Sequence, residues 1–205
     1  PATCWPDWPC SAMDVENTVR AAVLDHFDVE RAQVDSASVT FLGLEPVEIL
    51  RIPGDGAVHY ATLGGSRHPM GDPTDLLADP VRGPRAELIL TLLMSADPQV
   101  GVAKSLGVLV ASPSVEGVVL QADALLDLGE PLWRNAKFTA VVLGDSDIPA
   151  IPLPDPADPV RYLSVTPVTA TEAAWVRVRG AQALREAWAE AGIDVRDPER
   201  GAVNL

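Results

Sequence analysis

Three histidines, two cysteines and a surplus of carboxylates are the residues of this chain from which chemistry could be built. His26, His59 and His68 lack the close helical spacing by which histidine pairs hold zinc. His59 falls on an expected strand and His68 in the loop beyond it. With Asp72 they could converge in space, but ordinary polar histidines are the simpler reading. Cys4 and Cys10 bracket Cys-Trp-Pro-Asp-Trp-Pro-Cys and either close a small disulfide loop or stay free thiols, the simpler reading. Two thiolates alone cannot complete a tetrahedral zinc site, so no metal site is expected.

Nucleophilic and phosphate chemistry find no better footing. No serine stands in a G-x-S-x-G elbow, and neither cysteine has a basic neighbour in sequence to make it a thiolate. Gly64-Gly65-Ser66 is a glycine turn, but Pro69 and Pro73 interrupt any helix that would complete a phosphate loop, and no Gly-Lys-Ser/Thr follows. Gly54, Gly64 and Gly65 are read as serving tight turns. Carboxylate pairs for acid–base work are available, but none is singled out by spacing. No cofactor is expected.

The net charge of −14 works against nucleic acid and anionic membrane surfaces as partners, and favours a basic protein or cationic ligand. Its simplest consequence is solubility. Lys104 and Lys137 are the two lysines, and the arginines are scattered with no interleaved aromatic patch. Arg177, Arg179 and Arg185 read as the solvated face of a helix. A hydrophobic content of 47% implies a folded core, and with only 5% aromatics that core must be aliphatic. No apolar run approaches the roughly 18–20 residues of a membrane span, and no leader is visible, so the expected place is the cytoplasm.

The elements that would position these residues follow from periodicity. After an irregular segment 1–12, a helix is expected from Asp14 to about Phe27, with Val15, Val19, Ala22, Val23 and His26 near one face. Val47–Ile52 and Ala57–Leu63 form a hairpin across Pro53-Gly54-Asp55-Gly56. Arg85–Leu93 is apolar on both faces after Glu87, the mark of a central strand. A helix spans Pro98 to about Ala111 and turns Val102, Leu106, Leu109 and Val110 inward. Phe138–Leu143 and Val160–Thr166 are strands. The Pro- and Asp-rich stretch Gly144–Pro159 between them should be exposed, stiff and extended. Thr169-Ala-Thr-Glu172 is a capping box for a last helix ending near Gly192, with Trp175, Val178, Ala181, Leu184 and Trp188 as its apolar stripe. The order implies one α+β (mixed α/β) domain over residues 13–205, a central mixed or antiparallel sheet flanked by helices.

Tyr60-Ala-Thr62-Leu-Gly64-Gly-Ser66-Arg-His-Pro69-Met70, then Arg85-Ala-Glu87-Leu88 and Val165-Thr-Pro167-Val-Thr169-Ala-Thr-Glu172, give the chain a likeness. It resembles the suppressor-of-fused domain in its bacterial form, over roughly Val47 to Asn204. Gln121-Ala122-Asp123 stands where that family often carries a Gly-Asp or Gly-His pair. The resemblance implies a non-enzymatic module. Related animal domains hold an extended peptide in a cleft, and similar bacterial domains are often immunity proteins that silence a toxin. The expectation is therefore a protein- or peptide-binding domain whose partner is basic, a toxin among the candidates. The candidate contact residues are Asp123, Tyr60, Ser66, His68, Arg85 and Glu87. Two other readings stay open. One is a small-ligand protein or enzyme with a site lined by Tyr60, Ser66, His68, Arg85 and Glu87. The other is a scaffold using Trp5, Trp8 and the Pro/Asp loop as contacts.

Overall fold

Alternating aliphatic residues build β2 (Val47–Pro53) and β3 (Ala57–Leu63), and the turn between them closes with the Gly54 N–H donating to the Ala57 carbonyl at 2.9 Å. This computed structural model describes residues 12–41, 43–71, 79–96 and 99–205. The remaining elements are α1 (Ala12–His26), β1 (Asp35–Val39), β4 (Arg85–Leu93), α2 (Val102–Glu116), β5 (Leu125–Asp127), β6 (Phe138–Asp145), β7 (Val160–Thr169) and α3 (Ala170–Glu190). The strands form one sheet in the order β1-β2-β3-β4-β7-β6-β5. Every pairing is antiparallel except β4 with β7. β4 is central and buried on both faces from Arg85 to Leu90, as its continuous apolar run requires.

Strand alternation sends successive side chains to two helical layers. On one face α2 packs Val102, Leu106, Leu109 and Val110 onto Ile49, Leu88, Leu90, Val141 and Leu143. On the other, α1 places Val15, Val19 and Val23 over Leu50, Ile52, Ala61 and Leu63. Beside it α3 covers Ala140, Val142 and Val168 with Ala173, Val176 and Leu184. The α+β class and the single mixed sheet match the expectation. Among the described residues no helix is long and apolar enough to cross a membrane.

Several local expectations are corrected. The middle helix starts at Val102 and runs past Ala111 to Glu116, taking Pro113 inside its last turn and ending at Gly117 in the left-handed region (φ 70°); Pro98 lies outside the described residues. Gly107 in its middle is there for contact, since a Cβ would sit 2.8 Å from Val39 on β1. β1 and β5 were not anticipated: β1 reads Asp-Ser-Ala-Ser-Val and is exposed nearly throughout, so it carries no buried alternation. The Pro/Asp stretch is not wholly exposed. Ile148 and Ile151 are buried, and Ile151 exchanges two backbone hydrogen bonds with Val160 at 2.8 and 2.9 Å. The last helix breaks at Gly180 (φ 85°, ψ 165°), which shifts the phase of its apolar stripe and leaves Val178 79% exposed.

Candidate functional site

Three of the candidate contact residues, Ser66, Arg85 and Glu87, meet at one end of β3 and β4, beneath the turn that leaves β3. Gly64 holds that turn in the left-handed region (φ 116°), with a short 3₁₀ turn, Gly65–Arg67, behind it. The Glu87 carboxylate, 0% exposed, accepts four hydrogen bonds: from the Thr62 hydroxyl (2.6 Å), the Gly64 and Ser66 amides (2.9 Å each) and the Ser66 hydroxyl (2.6 Å). Arg85, also buried, donates to the carbonyls of Ser66 (2.7 Å), Arg67 (2.8 Å) and Val81 (3.0 Å). A Cβ on Gly65 would strike Val110 at 2.3 Å, so the turn is pressed against α2. Ser66, Arg85 and Glu87 therefore fix the shape of the loop from below, and a carboxylate enclosed this way does not reach a substrate outside. What the loop shows to solvent is His68, 73% exposed and 3.6 Å from Glu45. Tyr60 is half-buried against the α2-side core.

Asp123 lies elsewhere, after α2 and before β5. It takes a positive φ of 69°, its amide donates to the Leu143 carbonyl at 2.9 Å, and its carboxylate pairs with Arg185 of α3. Arg185 also donates to the Leu143 carbonyl at 3.0 Å and lies over Gly144, where a Cβ would stand 2.8 Å from Ser164 Oγ. Arg177, read as solvated, likewise ties α3 to Asp127. The sequence had no way to say that Asp123 would find an arginine from the last helix.

A second feature was not anticipated at all. A cleft of about 420 Å³ opens between the C-terminal end of α1 and the segment after α3, on the α1/α3 face. Thr91, Ser164, Phe27 and Val195 line it, together with the exposed Asp145, Asp147 and Arg196. His59 is here too. Its Nδ1 meets Thr91 Oγ1 at 2.9 Å, its ring packs on Phe27, and burial pushes its pKa below the ordinary histidine value, with Asp147 opposing. His59 and His68 thus stand toward opposite ends of β3, with about 13 Å of strand between His59 and Leu63 alone. Asp72, Cys4, Cys10, Trp5 and Trp8 lie outside the described residues. Among those described, no group of three or more His, Cys, Asp or Glu could hold a metal ion.

The wall formed by the C-terminal segment is anchored by a second buried carboxylate. Glu172, 0% exposed, takes hydrogen bonds from the Thr169 amide (2.9 Å), Trp188 Nε1 (2.9 Å), the Val203 amide (3.2 Å) and Arg200 (2.7 Å). Burial alone would raise its pKa, but the Arg200, Thr169 and Trp188 bonds outweigh it and hold the carboxyl below its ordinary value.

The comparisons with known proteins agree with this architecture. The model of the family described as Suppressor of fused protein (SUFU) matches residues 43–201, so the chain belongs to that family. No curated protein sequence matches it. Among solved structures, a suppressor-of-fused homologue from Neisseria gonorrhoeae FA 1090 is similar at 18% identity and TM-score 0.63, covering 94% of this chain and 98% of that one. A complex of Sufu with Fu is similar at 13% identity and TM-score 0.65, over 96% and 93%. Drosophila Suppressor of Fused is similar at 14% and 0.62; 98% of this chain aligns, but it spans about half (54%) of the Drosophila protein. At these identities the likeness is one of fold.

Proposed function

We propose that this member of the suppressor-of-fused family is a non-enzymatic protein-binding domain that sequesters a basic protein or peptide, as an immunity or regulatory factor. Family membership carries the reading, and the similar Sufu structure solved with Fu is that of a protein holding a protein. The charge of −14 supports a basic partner, because opposite charge steers encounter and like charge repels it. Two exposed patches are the contact candidates. One is the loop with His68 over the Ser66–Arg85–Glu87 network; the other is Asp123 beside Arg185, with Tyr60 a half-buried candidate on the α2 side. Ser66, Arg85 and Glu87 contribute by holding the first patch in shape.

The test is co-expression with the products of the neighbouring genes, followed by size-exclusion chromatography with light scattering. A discrete complex with one basic protein is expected, together with rescued growth if that protein is toxic. Asp123→Lys and His68→Lys should each weaken the complex by at least about tenfold, as central contacts do. A measured turnover of a small molecule with no protein partner would end this reading.

A further inference from the structure

Among the described residues the sheet is two antiparallel blocks, β1–β4 and β5–β7, joined where β4 runs beside β7. That junction is short. Its register goes from Arg85↔Val160 to Ile89↔Ser164 and stops, although β4 continues to Leu93 and β7 to Thr169. Beyond it each strand keeps a ladder on its outer side, β4 with β3 and β7 with β6. The segment after α3 closes the wide end: the Leu93 amide donates to the Arg196 carbonyl at 2.9 Å, and Arg200 donates to the Pro167 carbonyl at 2.6 Å. The cleft of about 420 Å³ fills the gap between the last ladder pair and this closure. It falls within the roughly 300–1,000 Å³ of ligand pockets.

The chemistry of the gap selects a class of occupant. A sheet that parts loses ladder partners along the parted edges, and strand carbonyls there require donors. Where this molecule meets that demand itself on β7, it uses arginine: Arg200 on Pro167 at 2.6 Å. The rim carries excess negative charge. Asp145 is matched by Arg161, and Arg196, which lines the cleft, by Asp194, while Asp147, 89% exposed, has His26 at 3.7 Å and acts on His59. Phe27, Ile89 and Val195 offer apolar surface for a hydrocarbon stem.

We propose that this cleft, where the sheet parts between β4 and β7, receives an arginine side chain of the protein partner. The guanidinium lies against Asp145, Asp147 and the parted strand edges, and the stem runs along Phe27 and Val195. A planar five-donor group suits a site that mixes carboxylates with carbonyls and hydroxyls better than a compact ammonium does. The inference rests on the protein-binding reading and adds a third contact point to it, away from His68.

The test titrates the ¹⁵N-labelled full chain with N-acetyl-arginine amide and, separately, with N-acetyl-citrulline amide, its uncharged isostere. Saturable shifts of the Thr91, Ser146 and Ser164 amides are expected with the arginine probe. Binding of citrulline should be at least about fivefold weaker, as loss of a charge-assisted pair implies. An Asp145→Asn, Asp147→Asn double variant, its fold checked by an otherwise unchanged spectrum, should lose the response. No saturable shift at the cleft, equal shifts with citrulline, or an undiminished response in the double variant would each overturn the proposal. If a protein partner is captured and the arginine probe fails, this inference falls and the protein-binding reading stands. If the probe binds and no protein partner exists, the cleft stands and that reading falls.

Discussion

Glu172 and Arg200 show how one buried pair can hold a whole segment. Both are sealed from water, so neither can lose its partner cheaply. Arg200→Met should destabilise the protein by about 3–5 kcal/mol in urea denaturation, since it leaves a buried carboxylate uncompensated. Adding Glu172→Gln to it should recover most of that loss. The pair also sets an acid limb. The folded Glu172 carboxyl lies below its ordinary 4.5, so its contribution is complete above that value and is lost as pH falls through the lower folded one. Glu172→Gln should flatten stability against pH in that window, and an unchanged slope would place the acid sensitivity elsewhere. The capping half of this cluster was legible, because Thr169-x-x-Glu172 is a local pattern. The Arg200 half was not, because 28 residues separate it from Glu172 and only tertiary packing brings them together. Glu87 was legible as a position of interest for the same reason that its role was not: a strand glutamate flanked by apolar residues stands out, but its four donors come from β3 and the turn after it.

Among the elements, α3 has the most to say about its own sequence. Gly180 at φ 85°, ψ 165° takes an extended positive-φ conformation essentially reserved for glycine, which an L side chain reaches only at a cost of roughly 1–3 kcal/mol. Gly180→Ala should therefore lower stability by about that amount, even though a Cβ there would meet nothing within 4 Å. Thermal denaturation would register the effect, and a neutral or stabilising outcome would show that the two helical segments can merge without loss. The same break explains why Val178, placed on the apolar stripe by an uninterrupted 3.6-residue period, faces water instead. Elements with strong periodicity, β2, β3, β4 and the core face of α2, were readable from the chain because burial on one or both faces writes itself into composition. β1 and β5 were not, since an exposed edge strand and a three-residue strand carry no such record. The cleft was illegible for a related reason: it lies where a ladder ends early, and register leaves no trace in residue type.

At the scale of the whole molecule, charge is the property with the longest reach. A field from −14 net charges should speed association with a basic partner at low salt and lose its influence once the Debye length falls to a few ångströms. Stopped-flow measurement of the captured complex should show an association rate that drops at least about tenfold between 50 and 500 mM salt, with the dissociation rate changing much less. A rate indifferent to salt would mean that the acidic surface serves solubility alone. The split sheet bears on how the protein comes into being. As synthesis proceeds from the N-terminus, α1 and the block from β1 to β4 can assemble early. The inner edge of β4 must then wait about 75 residues for β7, since Arg85 pairs with Val160. Throughout that interval the most apolar strand of the nascent chain has one side bare. The parallel ladder is therefore the step at which a ribosome-bound intermediate would be most open to chaperones and to pairing with the wrong strand.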